Sequence, residues 1–212
     1  MLKKVIDFIK NPERPESYQP ISAKDFFTLL GLVLVVIIPY AFLLEKLDVG
    51  QFDNALEELL ENYKWFVVAG VIVLAPLIEE PIFRLHLDYK KSSIYWGMGL
   101  SILVISEFWF ISLAFLGYLF FLLMKIKDDQ PPKLKLIVFM SAGFFGLVHL
   151  GNYTGFDWVG KFYYVPLLVG AQFVLGLVLS YVRINHGIRA AMLFHGTYNA
   201  LILIPAAIFG EI

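Results

Sequence analysis

Between Ile94 and Met124 the chain runs for 31 residues with a single charged side chain, Glu107. Several apolar runs of about twenty residues flank it, separated by short charged breaks. A run of 18 or more apolar residues is long enough to cross the ~30 Å hydrocarbon core of a bilayer as a helix. Within that core only helices and closed barrels satisfy their backbone polar groups, and the runs here lack the alternation of barrel strands. Of the 212 residues, 59% are hydrophobic and 17% charged, and the mean hydropathy is +0.73. Soluble domains carry roughly 25% charged residues. The expected fold is therefore all-α, a polytopic membrane bundle of about six to eight transmembrane helices, roughly 20 residues each. That leaves no room for a separate soluble domain.

The spans expected from hydropathy are Asp25 to Leu44, kinked at Pro39, and Lys64 to Leu87. Then come Ile94 to Met124, Leu136 to Gly151, Phe162 to Val182 and Ile188 to Ile208. Residues 1–24 read as a retained cytoplasmic tail, because no apolar signal core follows their charges. Residues 25–212 read as one transmembrane domain. In the acidic segment Glu45 to Asn62, Phe52, Ala55, Leu56, Leu59 and Leu60 recur at helical spacing, the pattern of an amphipathic helix on the membrane surface. Ile94 to Met124 is too long for one upright crossing, so a hairpin of two short spans is expected, with one long tilted helix as the alternative. Loop charge favours the hairpin. The tail, the Lys90/Lys91 turn and the Lys125, Lys127, Lys133, Lys135 loop are all basic, and all fall in the cytoplasm only if the chain crosses an even number of times between Lys91 and Lys125.

Net charge of −1 argues against a nucleic-acid partner, and the absence of cysteine removes thiolate chemistry. Polar residues interrupt the apolar spans at three places: Glu79-Glu80 with Arg84, Phe145 with His149, and His195 with Asn199. A carboxylate at bilayer depth costs at least ~2.5 to 3.5 kcal/mol, so a pair of them needs a partner or a task. Glu80 and Arg84 share a helix face, as do His195 and Asn199. Glu79 projects about 100° from Glu80, which lets one carboxylate pair with Arg84 while the other faces a cavity. Taken singly, each cluster is explained by packing or by a neutralised ion pair. Together they place two acids, two imidazoles and an amide on three spans.

Glu-Glu-x-x-x-Arg, Phe-x-x-x-His and His-x-x-x-Asn, in that order on successive hydrophobic helices, resemble the CPBP intramembrane protease family. This is the CAAX protease, Abi and bacteriocin-processing family, which includes the type II CAAX prenyl endopeptidases. The resemblance covers about residues 75–204. It implies an intramembrane endopeptidase with a polar cavity between the motif-bearing helices. Glu79 and His149 would activate a water, His195 and Asn199 would donate to the oxyanion, and Glu80 would be held ionised by Arg84. Phe145 would shape the cavity. The family has been described both as metalloproteases and as glutamate-dependent enzymes. No metal is assigned here, and a Zn²⁺ ion would draw on Glu79, His149 and His195. Asn199 fits an oxyanion donor better than a zinc ligand. The implied substrates are membrane-associated peptides, prenylated CAAX-type or bacteriocin-like, met among membrane lipid in the inner membrane of a prokaryote. A non-catalytic scaffold or immunity protein and a small proton-coupled transporter are the alternatives.

Two expectations pull against each other. The long gap from Glu79 to His149 marks Ile94 to Met124 as an insertion. By hydropathy, His149 lies near the far end of its span while Glu79 lies near the cytoplasmic end of its own. Among the remaining polar residues, Glu107 reads as a hairpin tip. His86, Arg183, His186 and Arg189 read as interfacial. Trp65, Trp96, Trp158, Tyr163, Tyr164 and Tyr181 read as belt residues, and Asn152 as a residue that orients His149.

Overall fold

A computed structural model describes residues 1–47, 55–106, 108–153 and 157–209. Its helices are α1 (Leu2–Lys10), α2 (Ala23–Lys46), α3 (Ala55–Ala69), α4 (Ala75–Arg84) and α5 (Lys91–Leu100), followed by α6 (Trp109–Lys127), α7 (Leu134–Val148), α8 (Trp158–Lys161), α9 (Val165–His186) and α10 (Ile188–Phe209). Among the described residues, six helical stretches are long and apolar enough to cross a membrane: Ala23–Lys46, Leu59–Asp88, Trp109–Lys127, Leu134–Asn152, Phe162–His186 and Ile188–Phe209. The protein is a polytopic helical membrane bundle. Its outward faces carry large apolar side chains such as Phe27, Val35, Phe66, Trp96 and Phe120. Lipid is the solvent that makes those faces tolerable.

Inside the bundle, close helix approach rests on small residues, as expected where lipid removes any hydrophobic drive between helices. The most extensive packing is α7 on α9. There Gly176 lies against Ala142 and Phe145, and a Cβ on Gly146 would fall 3.1 Å from the Val169 carbonyl. Ser141 Oγ, buried on α7, donates to the Phe83 carbonyl and pins α7 to α4. One residue, Gly187, turns α9 into α10 with φ +90°, a left-handed conformation that costs glycine little.

The end of the bundle that carries the basic loops is tied together. Arg14 donates to the Leu87 carbonyl, Tyr89 to the Pro132 carbonyl, and the Gln19 N–H to the Asn185 carbonyl. The tail, the 88–91 turn, the loop before α7 and the α9–α10 turn therefore share one face, as the loop charges required. The tail also contributes α1, whose Val5 and Phe8 are buried, with Phe8 edge-on to Tyr181.

The stretch from Ile94 to Met124 folds as two helices. α5 and its 3₁₀ extension Ser101–Val104 rise from the basic end, and the chain reverses before Trp109 to descend as α6. Fourteen residues at 1.5 and 2.0 Å rise reach about 23 Å, so the first arm stops short of a full crossing. Gly97 lets this arm wedge in: a Cβ there would stand 3.3 Å from the Ile82 carbonyl and 3.5 Å from Leu119. Glu107 and Phe52 lie outside the described residues.

The acidic segment departs from its expected form. From Ala55 it is helical and runs on into the second span, with a break in helical geometry at Tyr63 (φ −138°, ψ 39°). Leu60 is buried with Val68 and Ala207, whereas Leu59 is half exposed. Pro39 lies inside α2, and Gly70–Leu74 between α3 and α4 adopts a π-helical turn.

Candidate active site

Adjacent on α4, Glu79 and Glu80 enter different surroundings. Glu80 is completely buried. Its Oε1 accepts from Arg84 Nη1 at 3.1 Å and from His195 Nδ1 at 2.9 Å. Arg84 is also fully buried, and its guanidinium lies over the Phe145 ring, 3.9 Å from the centroid. A desolvated contact of this kind is worth about 2 kcal/mol. It gives the Arg84 nitrogens that lack a hydrogen bond, Nε and Nη2, an electron-rich face. Phe145 also meets His149 and His195 edge-on, at 4.7 and 5.7 Å between centroids. It is the apolar floor on which both imidazoles stand.

Glu79 instead lines a cavity of about 280 Å³ with Phe145, His149, Asn152, Gln172, His195, Tyr198 and Asn199. All four polar residues expected to converge do so. A second chamber of about 230 Å³ shares Glu79, His149 and Asn152 and is lined on one side by the hairpin tip, Leu103 to Ser106. The tip seats on Gly151, where a Cβ would fall 2.8 Å from Ser106.

The mismatch in depth between Glu79 and His149 closes through helix geometry. The contact of Tyr89 with Pro132 places the end of α4 beside the start of α7, so the two helices are antiparallel. Ser141 is level with Phe83. Four residues beyond Ser141 is Phe145, and four before Phe83 is Glu79, each about 6 Å farther into the bundle. Helical side chains lean toward their own N-terminus, so Glu79 leans away from the basic end and His149 leans back toward it. The His149 ring folds down until Nδ1 lies 2.6 Å from the Phe145 carbonyl oxygen. A carbonyl only accepts, so Nδ1 carries a proton, and in the neutral ring Nε2 keeps its lone pair.

On α10, His195 sits with Nδ1 on Glu80 and Nε2 3.9 Å from Glu79 Oε2, too far for a hydrogen bond. One turn on, Asn199 Nδ2 donates to the Val71 carbonyl at 2.8 Å. That carbonyl belongs to the π-helical turn. Gly196 allows the close approach, since a Cβ there would lie 2.7 Å from the Ile72 carbonyl.

Several expectations need correction. The group that orients His149 is the Phe145 carbonyl, while Asn152 only lines the chambers. Arg183 is buried rather than interfacial: it donates to the Arg84 carbonyl and Tyr18 Oη and pairs with Asp88 at 3.3 Å. His86 is buried against Phe115 and Tyr118. Tyr181 is covered by α1 and is no belt residue, whereas Trp65, Trp96 and Tyr163 are exposed as a belt requires. His186 is half-buried with Nδ1 at the Gln19 carbonyl. Gln172 and Tyr198 line the cavity without having been singled out by any motif.

Glu79, His149 and His195 do not fit a zinc ion as arranged. Among the described residues, no group of three or more His, Cys, Asp or Glu side chains is placed to hold a metal. The Glu79–His195 separation of 3.9 Å also exceeds the span of two ligands about 2.0 to 2.2 Å from one tetrahedral zinc.

The family model described as type II CAAX prenyl endopeptidase Rce1-like matches residues 61–201, two thirds of the chain, and contains all three motifs. No curated protein and no solved structure matches.

Proposed function

The chain belongs to the type II CAAX prenyl endopeptidase Rce1-like family, and from that footing we propose that it hydrolyses a membrane-tethered, prenylated CAAX-type peptide with a water activated by Glu79. The observation that carries this reading is the convergence of Glu79, His149, His195 and Asn199, from three helices, on one cavity.

A water between the Glu79 carboxylate and the Nε2 lone pair of His149 meets two acceptors, which orient its protons away from the scissile carbon. Glu79 takes one proton as the water oxygen bonds to the carbonyl carbon. The oxyanion receives the free N–H of Asn199, and the Nε2–H of His195 when that ring carries its second proton on Glu80. Glu79 then returns its proton to the amide nitrogen, the C–N bond breaks, and the products are an amine and a carboxylic acid, whose proton (the second from the water) passes to the His149 Nε2 lone pair as the carboxylate leaves. No step passes through a metal. Glu80 acts by holding His195, and Arg84 by holding Glu80.

The shared face of the tail and the basic loops supports a cytoplasmic N-terminus, and the location proposed with it is the inner membrane of a prokaryote. The domain assignment is a short tail, residues 1–24, on a single transmembrane unit, residues 25–212. Purified protein in detergent or nanodiscs is expected to cleave at least one member of a panel of farnesylated CAAX-type peptides. Glu79→Gln is expected to abolish that cleavage. Turnover by Glu79→Gln at the wild-type rate would exclude the mechanism.

A further inference from the structure

The motif residues of the cavity offer more acceptors than donors, and beyond them Asn152, Gln172 and Tyr198 line it. Glu79 presents carboxylate oxygens. His149 has its Nδ1–H spent on the Phe145 carbonyl, leaving a lone pair. Asn199 has one N–H spent on the Val71 carbonyl, which leaves Oδ1 and a single N–H. His195 has Nδ1 held by Glu80, so it offers an N–H to the cavity only as the cation. A tetrahedral intermediate in peptide hydrolysis carries a full negative charge on oxygen, and sites that stabilise one aim fixed donors at it. The motif residues leave that requirement half met.

Gln172 stands in the same cavity, on a helix that carries none of the motifs. Its placement follows from the α7–α9 seam. Without a Cβ, Gly146 lets the backbone of Val169 and Phe173 come against α7 within one turn of His149. Gln172 precedes Phe173, and on α9 its side chain leans toward the helix N-terminus, which is the direction of the His149 turn. Its Oε1 is buried with no hydrogen-bond partner. A buried amide oxygen left unpaired costs about 1 to 3 kcal/mol, a cost that a ligand N–H beside the cavity would relieve.

We propose that Gln172 is a substrate-contacting residue of this active site, whose carboxamide donates to the scissile carbonyl oxygen as it becomes an oxyanion and accepts from a neighbouring peptide N–H. The assignment rests on the endopeptidase reading above. It adds a fourth helix to the catalytic set and supplies the donor that Asn199 and His149 have committed elsewhere.

The test uses full-length protein in nanodiscs and a farnesylated CAAX-type peptide that the wild type cleaves. A second probe is the same peptide with a phosphinate in place of the scissile group, a mimic of the tetrahedral oxyanion. Gln172→Met keeps the length and removes the donors, and Gln172→Glu keeps the shape but presents only acceptors when ionised. Both are expected to lower kcat about 100-fold, the usual cost of one oxyanion donor, with KM changed less than threefold. Phosphinate affinity is expected to fall with kcat, while affinity for the uncleaved peptide, measured on the Glu79→Gln protein, falls far less when Gln172→Met is added, by no more than the loss of one peptide N–H contact. Gln172→Asn, with the donors retained but drawn back, is expected to fall between. A residue that merely packs would alter stability without separating phosphinate from peptide affinity. Wild-type kcat in Gln172→Met, or equal losses of phosphinate and peptide affinity, overturns the assignment while leaving the endopeptidase intact. Failure of the wild type to cleave any peptide of the panel overturns the endopeptidase reading, and this assignment with it.

Discussion

Glu79 and Glu80 are one bond apart in the chain, yet they occupy two regions with opposite physics. On the Glu80 side there is no solvent. The carboxylate, Arg84 and the Phe145 ring are fully buried, and the charge is spread over an ion pair, an imidazole and an aromatic face. On the Glu79 side the side chain is about a fifth exposed and lines two chambers. A rotation of about 100° along a helix is enough to give two adjacent acids separate surroundings, the division on which the proposed roles rest. The dry side fixes where His195 and Phe145 stand, and Phe145 in turn fixes His149. The wet side can then hold a water among groups that do not have to move.

Breaking the dry side is expected to have the largest effect. Arg84→Met leaves a buried carboxylate without its cation and should destabilise the protein by about 3 to 5 kcal/mol, read by steric trapping or denaturant titration in micelles. Adding Glu80→Met to Arg84→Met should restore much of that stability while cleavage stays low, because His195 loses its anchor. Equal stability of the two variants would show that the pair does not act as a unit. Gly151→Val should come next, costing about 1 to 3 kcal/mol by driving the hairpin tip off its seat, with slower cleavage as the lining of the second chamber shifts. Full stability and rate in that variant would detach the hairpin from the site. Ser141→Ala removes the pin that sets Glu79 level with Phe145. It should cost about 1 kcal/mol, with cleavage lowered severalfold. Extensive chelation of divalent ions should have the smallest effect, a change in rate of less than twofold. Loss of cleavage restored by zinc would replace the Glu79–His149 water with a metal-bound one.

How far the sequence foretold this site depended on contrast. Glu79, Glu80, Arg84, His149, His195 and Asn199 stood out because ionisable or strongly polar groups are costly in apolar spans. The hairpin followed from loop charge. Gln172 did not stand out: a neutral amide in an apolar helix breaks no rule, and only its neighbours across the α7–α9 seam give it meaning. Arg183 was misjudged because hydropathy puts it at a span end, where a free arginine would snorkel. The tail covers that end and supplies Tyr18, so the side chain is buried instead. The depth of His149 was likewise hidden. Hydropathy counts residues along the axis, while the ring reaches back a full turn to the Phe145 carbonyl.

The central claim is that the two glutamates divide structure from chemistry, and it is tested most directly by measuring Glu79→Gln for cleavage and unfolding on the same preparation. The account predicts no detectable cleavage of a farnesylated CAAX-type peptide, with unfolding free energy within about 0.5 kcal/mol of wild type, as for a substitution away from the buried pair. Cleavage at the wild-type rate, or a loss of activity that merely tracks a loss of stability, would contradict it.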